Sequence, residues 1–402
     1  MTGKLDTRRT CPDNFIRQRD PQMHTKVIST IQPGTYGASI AEAAAALREG
    51  ALVLFPTETV YGVAANAAKP DALRRLRELK KSAVSQRPFT VHLGRKADAG
   101  KYLTGSSALL RRLSRKCWPG PLTMVVQEAA PERAEIFRVC PREQQRELYY
   151  EGRVGLRCPD HPAALELIAQ VDVPVVATSA NARGQIPPTE FEAAYNNLEG
   201  QVEYALNAGS TKLGAASTVI NVHDHQWSVQ RAGPIEERTL RRLSRSVILM
   251  VCSGNSCRSP MAEYMFRHKL AESLGMSPED LPAAGYEVLS AGTAACPGCE
   301  ASPGALLEMR RRGMDLSAHR SQPLTIELIQ QAERIYVMTP EHRAMVLDLA
   351  PGAADVVQLL DPRGAITDPM GGGPEEYSKT ADRLERAIEA RLKEFLDEDR
   401  NW

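Results

Sequence analysis

Long apolar stretches are missing from this chain. No run of about 18 uncharged apolar residues occurs in it, which excludes a helical membrane span, and the opening MTGKLDTRR has no apolar segment of the kind an export signal needs. A surplus of either charge is missing too. Fifty Lys and Arg stand against 49 Asp and Glu, leaving a formal net charge of +1, so no global field draws the protein to nucleic acid or to an anionic membrane. Any contact with RNA must be local. Cysteine is sparse, with eight scattered over 402 residues, which fits reduced thiols better than a disulfide framework. Internal repeats and low-complexity tracts are absent. The expectation is a cytoplasmic protein with no membrane partner.

What is present is ordinary globular composition, 43% hydrophobic and 25% charged. Single cores stop growing near ~250–300 residues, so a chain of this length is expected to hold two domains. Residues 1–24 are polar and aperiodic, with Pro12 and Pro21, and read as a flexible leader. From Thr25 the pattern becomes regular. SIAEAAAALREG reads as an amphipathic helix closed by Gly50, and ALVLFPTE as a strand ending at Pro56. Further strand-like runs (TVHL, LTMVV, VGLRC, VPVVATS, STVINV) alternate with helical segments, predicting an α/β domain with a mixed sheet over 25–235. The basic stretch 236–245 reads as a short helical linker, more a solvated face than an RNA contact. At Val247 a second α/β pattern starts with VILMV, a strand apolar on both faces, and the second domain runs over 246–402.

That strand runs straight into CSGNSCRS (Cys252 to Ser259) and then a helix. Backbone N–H groups of such a loop and the helix dipole make an anion site, with Ser259 placed to cap the helix and Pro260 preset for its first turn. Cys252 opens the loop and Arg258 closes it, so a guanidinium can grip two phosphate oxygens while the sulfur attacks phosphorus. The same donors stabilise a thiolate nucleophile. Gly254 allows close backbone approach, and Asn255 can pin the loop. With Ser253, Ser256, Cys257 and Ser259 these residues form the candidate phosphate-binding loop.

The string V-C-x-G-N-x-C-R-S-P-M-A-E, followed by SAGT (Ser290 to Thr293), GMDLSAHRSQPL and ITDPMGGG, resembles the low-molecular-weight protein tyrosine phosphatase family over about residues 246–400. The resemblance implies a three-layer α/β domain with a parallel sheet, no cofactor, and a late D-P motif supplying the general acid. Two such motifs occur. Asp368 is the chosen acid because Gly371 to Gly373 and a helical stretch follow it, and Asp361 reads as a turn residue. Cys257 is either a disulfide partner for Cys252, as the resemblance allows, or a small buried side chain. Ser256 and Met370 stand where tyrosine-directed members carry bulkier or aromatic residues, which is similar to the protein-arginine phosphatases of the family. Phosphoarginine on protein is the first substrate expectation, phosphotyrosine the second. Cys296-Pro-Gly-Cys299 reads as a loop pair without metal, since a second close ligand pair for zinc is missing.

In the first domain FPTETVYGVAANA places Thr57, Glu58 and Thr59 at the mouth of a strand, as a turn or as a polar ligand site. Together with WPGPLTMVV, VGLRCPDHP, ATSANARG, ASTVINV and VQRAGPI it resembles the YrdC-type threonylcarbamoyl-AMP synthase family over about residues 30–235. The resemblance implies a twisted mixed-sheet α/β domain that joins L-threonine, bicarbonate and ATP, with Mg2+ carried on the ATP. It implies a product used by a tRNA-modifying threonylcarbamoyl transferase, and a possible local contact with tRNA or other double-stranded RNA. Thr59, His92, Arg157 and Ser217 fall at threonine-binding places, and Lys80, Ser179, Asn181 and Arg231 at nucleotide-binding places. One departure matters: the family's K-x-R reads Lys80-Lys81-Ser82, so either Arg87 is the substitute cation or synthase activity is reduced. The alternative for this half is a nucleotide- or RNA-binding module that no longer synthesises.

Overall fold

The computed structural model describes residues 24–31, 37–80, 88–182 and 184–400. Ser82 and Arg87 lie outside the described residues, as does the leader up to residue 23.

The strands are β1 (Lys26–Ser29), β2 (Val53–Phe55), β3 (Gly62–Asn66), β4 (Thr90–His92), β5 (Leu122–Gln127), β6 (Arg153–Arg157), β7 (Val175–Ser179), β8 (Tyr204–Asn207), β9 (Thr218–His223), β10 (Gln226–Arg231), β11 (Ser246–Cys252), β12 (Tyr286–Gly292), β13 (Arg334–Val337) and β14 (Val357–Leu359). The helices are α1 (Gly37–Glu49), α2 (Pro70–Leu79), α3 (Ala108–Cys117), α4 (Gln145–Leu148), α5 (Pro162–Ala169), α6 (Phe191–Leu198), α7 (Glu237–Leu243), α8 (Arg258–Leu274), α9 (Pro303–Arg311), α10 (Ile326–Gln331), α11 (Pro340–Leu349) and α12 (Pro374–Arg400).

The first ten strands form one mixed sheet in the order β1-β8-β2-β3-β7-β4-β6-β5-β9-β10. Its strands follow the apolar runs. β9 (TVINVH) alternates buried and half-buried residues, as a sheet with unlike faces requires. Gly50 ends α1 at φ +109°, a conformation that side chains rarely adopt, and turns the chain into β2. β3 and β4 meet β7 as antiparallel neighbours, and β4 lies parallel to β6. That pairing puts His92 directly beside Arg157.

The second sheet has four parallel strands in the order β12-β11-β13-β14. All seven residues of β11 are buried, as expected for a strand covered on both faces. Ser302 and Thr339 cap α9 and α11 by accepting N–H bonds from Ala305 and His342, each followed by a proline preset for the first turn. α8 ends at Gly275 in the left-handed conformation, φ +68°.

The structure corrects two expectations. The basic stretch after residue 235 is a helix, α7, but Leu240 is wholly buried in the core of the first domain. A single apolar side chain per turn was too weak a signal among four arginines. The helix after the phosphate loop begins at Arg258, with Cys257 as its cap residue, so Ser259 sits inside the first turn and caps nothing.

The domains are joined through α3. Ala108, at its start, packs in the second domain's core. Arg112 is wholly buried; its Nη1 donates to Ser244 O at 2.6 Å and its guanidinium lies 4.4 Å from the Tyr286 ring centre. Arg115 and Lys116 pair with Glu333 at 2.6 and 3.3 Å. Burial pushes the Glu333 carboxyl upward, but Lys116, the Ser246 hydroxyl, Arg115 and Arg112 outweigh it and hold it at about 2. These contacts meet the N-terminal ends of β11, β12 and β13, whereas the phosphate loop leaves the C-terminal end of β11. No helix of the described residues is long and apolar enough to cross a membrane.

Candidate active sites

The first site is a cleft of about 770 Å3 over the middle of the ten-stranded sheet. His92, Arg157, Ser179, Ser217 and Arg231 line it, together with Thr57 and Thr123. Arg157 is buried; its Nη2 donates to Glu58 Oε1 at 2.9 Å and to Thr59 Oγ1 at 2.7 Å. Thr59 therefore lies behind the cleft wall and orients Arg157, while Thr57, 2.7 Å from it, reaches the wall. Glu58 also accepts the Asp160 N–H at 3.0 Å, and its carbonyl accepts from Leu213 N at 2.8 Å. One buried carboxylate thus ties the strand mouth, Arg157 and a distant loop together.

Burial, followed by the charge of Arg157, pushes His92 down to about 3, against the bond to Thr90 O. Its ring stays neutral. Nδ1, 3.1 Å from Thr90 O, must then carry the proton, which leaves Nε2 as an acceptor. Ser217 is held by Thr123 Oγ1 at 2.9 Å and by Arg231, whose Nη2 donates to Ser217 O at 2.8 Å. Burial and then Arg157 lower the Arg231 pKa. Lys80 Nζ donates to Ser179 Oγ at 3.2 Å and to the Asn181 carbonyl at 2.6 Å, and burial lowers it to about 8. Lys80, Ser179 and Asn181 are thereby one cluster. The cleft offers hydroxyls, a neutral imidazole and three lining arginines, Arg153 paired with Glu151, Arg157 paired with Glu58, and Arg231, with the Lys80 cluster joining it at Ser179. Such a site suits an anionic, polyfunctional ligand.

The second site is the loop after β11. Cys252 is buried, its Sγ 3.0 Å from Ser259 Oγ. Asn255 adopts φ +51°, and its side chain holds the bend in place: Nδ2 donates to Ser259 Oγ at 2.9 Å and Ser290 Oγ at 2.8 Å, and Oδ1 accepts from Gln322 N at 2.8 Å. Gly292 is required by close approach, since a Cβ there would stand 2.5 Å from Ser253 O. Thr293 N and Ala294 N donate to the Cys252 and Ser253 carbonyls, both at 2.9 Å, and Ser302 N to Ser256 O at 2.8 Å. With those carbonyls turned outward and bonded, the loop is fixed as a cradle before any ligand arrives.

Arg258 is buried; Nη1 donates to Ile366 O at 3.1 Å and Nη2 to Asp368 Oδ2 and to Ser253 Oγ. Asp368, half-exposed at 43%, therefore stands at the mouth of the loop. Asp361 is 1% exposed and pairs with Arg363 and Arg383, which outweigh its burial and hold it at about 2. It anchors α12 and is more than a turn residue. Ser256 is half-buried in the loop, and Met370, two residues after Asp368, is 57% exposed. The Cys257 thiol lies 3.0 Å from Ser302 Oγ and 3.5 Å from Tyr377 OH. All seven described cysteines are free thiols.

Several contributors escaped the sequence reading. His342 Nε2 meets Ser253 Oγ at 2.9 Å, with Thr339 Oγ1 behind it, and burial followed by the charge of Arg258 lowers its pKa. His319 Nε2 lies 2.8 Å from Asn255 O. Tyr377 reaches the loop from α12. The TPEH string, with a cap, a proline and a histidine one turn on, was the available signal for His342.

Residues 45–233 match the Sua5/YciO/YrdC family, described as Telomere recombination, and residues 247–401 match the Low molecular weight phosphotyrosine protein phosphatase family. The threonylcarbamoyl-AMP synthase of Bacillus subtilis is 35% identical over 52% of this chain and 58% of its own. The putative threonylcarbamoyl-AMP synthase of Mycobacterium tuberculosis is 30% identical over 52% of this chain and 91% of its own. The protein-arginine-phosphatase of Geobacillus stearothermophilus is 39% identical over 37% of this chain and 95% of its own. The chain spans 52% to 58% of the length of the first three curated synthases it matches. Both matched families are families of enzymes, and the chain belongs to both: a domain of the Sua5/YrdC threonylcarbamoyl-AMP synthase family fused to a domain of the low-molecular-weight phosphatase family.

Proposed function

We propose that the chain is a bifunctional enzyme. Its first domain makes threonylcarbamoyl-AMP and pyrophosphate from L-threonine, bicarbonate and ATP, and its second removes phosphate from protein, from phosphoarginine ahead of phosphotyrosine.

For the first activity the supporting observation is the cationic cleft with its buried Arg157. Bicarbonate joins the threonine amine with loss of water, and the resulting carbamate oxygen must attack the α-phosphate as pyrophosphate leaves. Arg157, Thr57 and Ser217 suit the amino-acid carboxylate and hydroxyl, and the neutral His92 offers Nε2 as an acceptor for an N–H. Arg231, Lys80, Ser179 and Asn181 suit the phosphates and the developing charge. Magnesium would enter on the triphosphate, as Mg–ATP. The product would pass to a tRNA-modifying transferase. Arg231→Ala should lower threonine- and ATP-dependent pyrophosphate release at least about tenfold. Unchanged release would reject this role for Arg231, and no threonine-dependent release from the native protein would leave the nucleotide-binding alternative.

For the second activity the supporting observation is Cys252, Arg258 and Asp368 at one loop mouth. Cys252 attacks phosphorus, the bond to the leaving nitrogen or oxygen breaks, and Asp368 supplies its proton. Water then attacks the cysteinyl phosphate, giving its proton back to Asp368. Ser256 and Met370 leave room and polarity for a guanidinium leaving group, which favours phosphoarginine.

A further inference from the structure

Cys296, Pro297, Gly298 and Cys299 follow one another at a spacing that neither active site uses. They form a tight turn. Cys299 N–H points to Cys296 O at 3.5 Å, and Gly298 takes φ +78° after a proline, the residue pattern of a type II turn. Such a turn keeps its first and last α-carbons within about 7 Å, and disulfides bridge about 4.4–6.8 Å. The turn thereby brings the Cys296 and Cys299 α-carbons within disulfide reach. Both are exposed, unlike the five buried cysteines described.

Ser321 clamps this turn with four bonds. Its Oγ donates to Cys296 O and accepts from Cys299 N at 3.0 Å; its N–H donates to Cys299 O at 2.8 Å and its carbonyl accepts from Gly298 N at 2.8 Å. Little chain entropy is left to lose when the sulfurs join. Among the described residues no third His, Cys, Asp or Glu completes a metal-binding group with them, so zinc lacks its ligands here. The residues flanking the turn grip the phosphate loop, through Thr293 and Ala294 on one side and Ser302 on the other. The pair therefore sits at the rim of the phosphatase site.

We propose that Cys296 and Cys299 are a reversible dithiol–disulfide modification site whose oxidant is a low-molecular-weight disulfide. One cysteine gives its proton to solvent and its thiolate attacks a sulfur of the small disulfide, whose other half leaves as a thiolate. The second cysteine, deprotonated in turn, attacks the protein sulfur of the mixed disulfide; the internal S–S bond forms and the second small thiolate departs. Two protein thiols are oxidised and one small disulfide is reduced to two thiols. The neighbouring Cys299 thiol holds Cys296 above its ordinary pKa, so exchange accelerates as pH rises from 7.

The test uses the full chain carrying Cys252→Ser and Cys257→Ser, which removes the loop thiols. The protein is equilibrated in reduced and oxidised glutathione, quenched, denatured and alkylated, and the peptide holding residues 296–299 is weighed. The expected product is lighter by two hydrogen atoms and unalkylated, while Cys117, Cys140 and Cys158 are alkylated. Adding Cys299→Ser should convert that product into a stable glutathione adduct on Cys296. Full alkylation of both cysteines in the oxidised buffer, or independent glutathione adducts on each, would overturn the proposal.

Discussion

Arg112 offers a quantitative test of how the two domains are joined. Truncation to alanine removes a charge-assisted hydrogen bond to Ser244 O, worth about 1.5–3 kcal/mol. It also removes the stacking on Tyr286, about 1–2 kcal/mol in a dry setting, and the packing of the aliphatic stem, about 1–2 kcal/mol. Gly285 O contributes little, because it is 3.3 Å from Nη1 and already accepts the Ser246 N–H at 2.7 Å. Against these losses stands a relief. Arg112 Nε and Nη2 are buried without a hydrogen-bond partner, each costing on the order of 1 kcal/mol or more in the native protein. The net expectation is a loss of about 1.5–5 kcal/mol for Arg112→Ala, and under about 1 kcal/mol for Arg112→Met, which keeps the stem and sheds the unpaired donors. Urea unfolding of the full chain reads this with two probes. In a Trp402→Phe background tryptophan fluorescence follows the first domain through Trp118 and Trp227, and phosphatase activity follows the second. In Arg112→Ala the two transitions should separate. A loss below about 0.5 kcal/mol, or a methionine variant as damaged as the alanine one, refutes the reasoning.

Two further outcomes depend on protonation. Glu333 has a folded pKa of about 2 against an ordinary 4.5, so its stabilising effect is complete above pH 4.5 and lost as pH falls toward 2; Glu333→Gln should flatten the acid limb of the stability curve, at most by roughly 3 kcal/mol. Lys80 is depressed to about 8 from 10.5, so the unfolded chain binds more protons between those values and stability rises with pH through that window. A triphosphate beside Lys80 favours the charged form. ATP binding near pH 8 should therefore take up a fraction of a proton, seen as buffer-dependent heat in calorimetry, and Lys80→Met should abolish that dependence; identical heats in all buffers for the native protein would contradict it.

The second active site was the more legible in sequence because its parts are consecutive: strand, loop nucleophile and guanidinium occupy Val247 to Arg258. Its supports were hidden, since His342 and Tyr377 reach the loop across 89 and 120 positions and only folding reveals those distances. Ser259 was misread as a cap because its hydroxyl has better partners, Asn255 and the Cys252 sulfur, than the helix end offers. In the first domain the strands could be read from their alternation, but the bond that turns the Thr59 hydroxyl to the Arg157 guanidinium spans 98 positions and could not. Arg112 carried no signal at all, because a buried arginine in a basic helix looks like any solvated one until its neighbours are known.

The central claim is two independent catalytic sites in one chain, and paired assays of the native protein and Cys252→Ser test it most directly. Phosphate release from phosphoarginine and phosphotyrosine peptides is measured beside threonine- and ATP-dependent pyrophosphate release. Both activities are expected in the native protein, with phosphoarginine the better substrate, and in Cys252→Ser a loss of phosphate release by about 1,000-fold or more with pyrophosphate release unchanged. Equal phosphate release by the two proteins, or no threonine-dependent pyrophosphate from either, would contradict it.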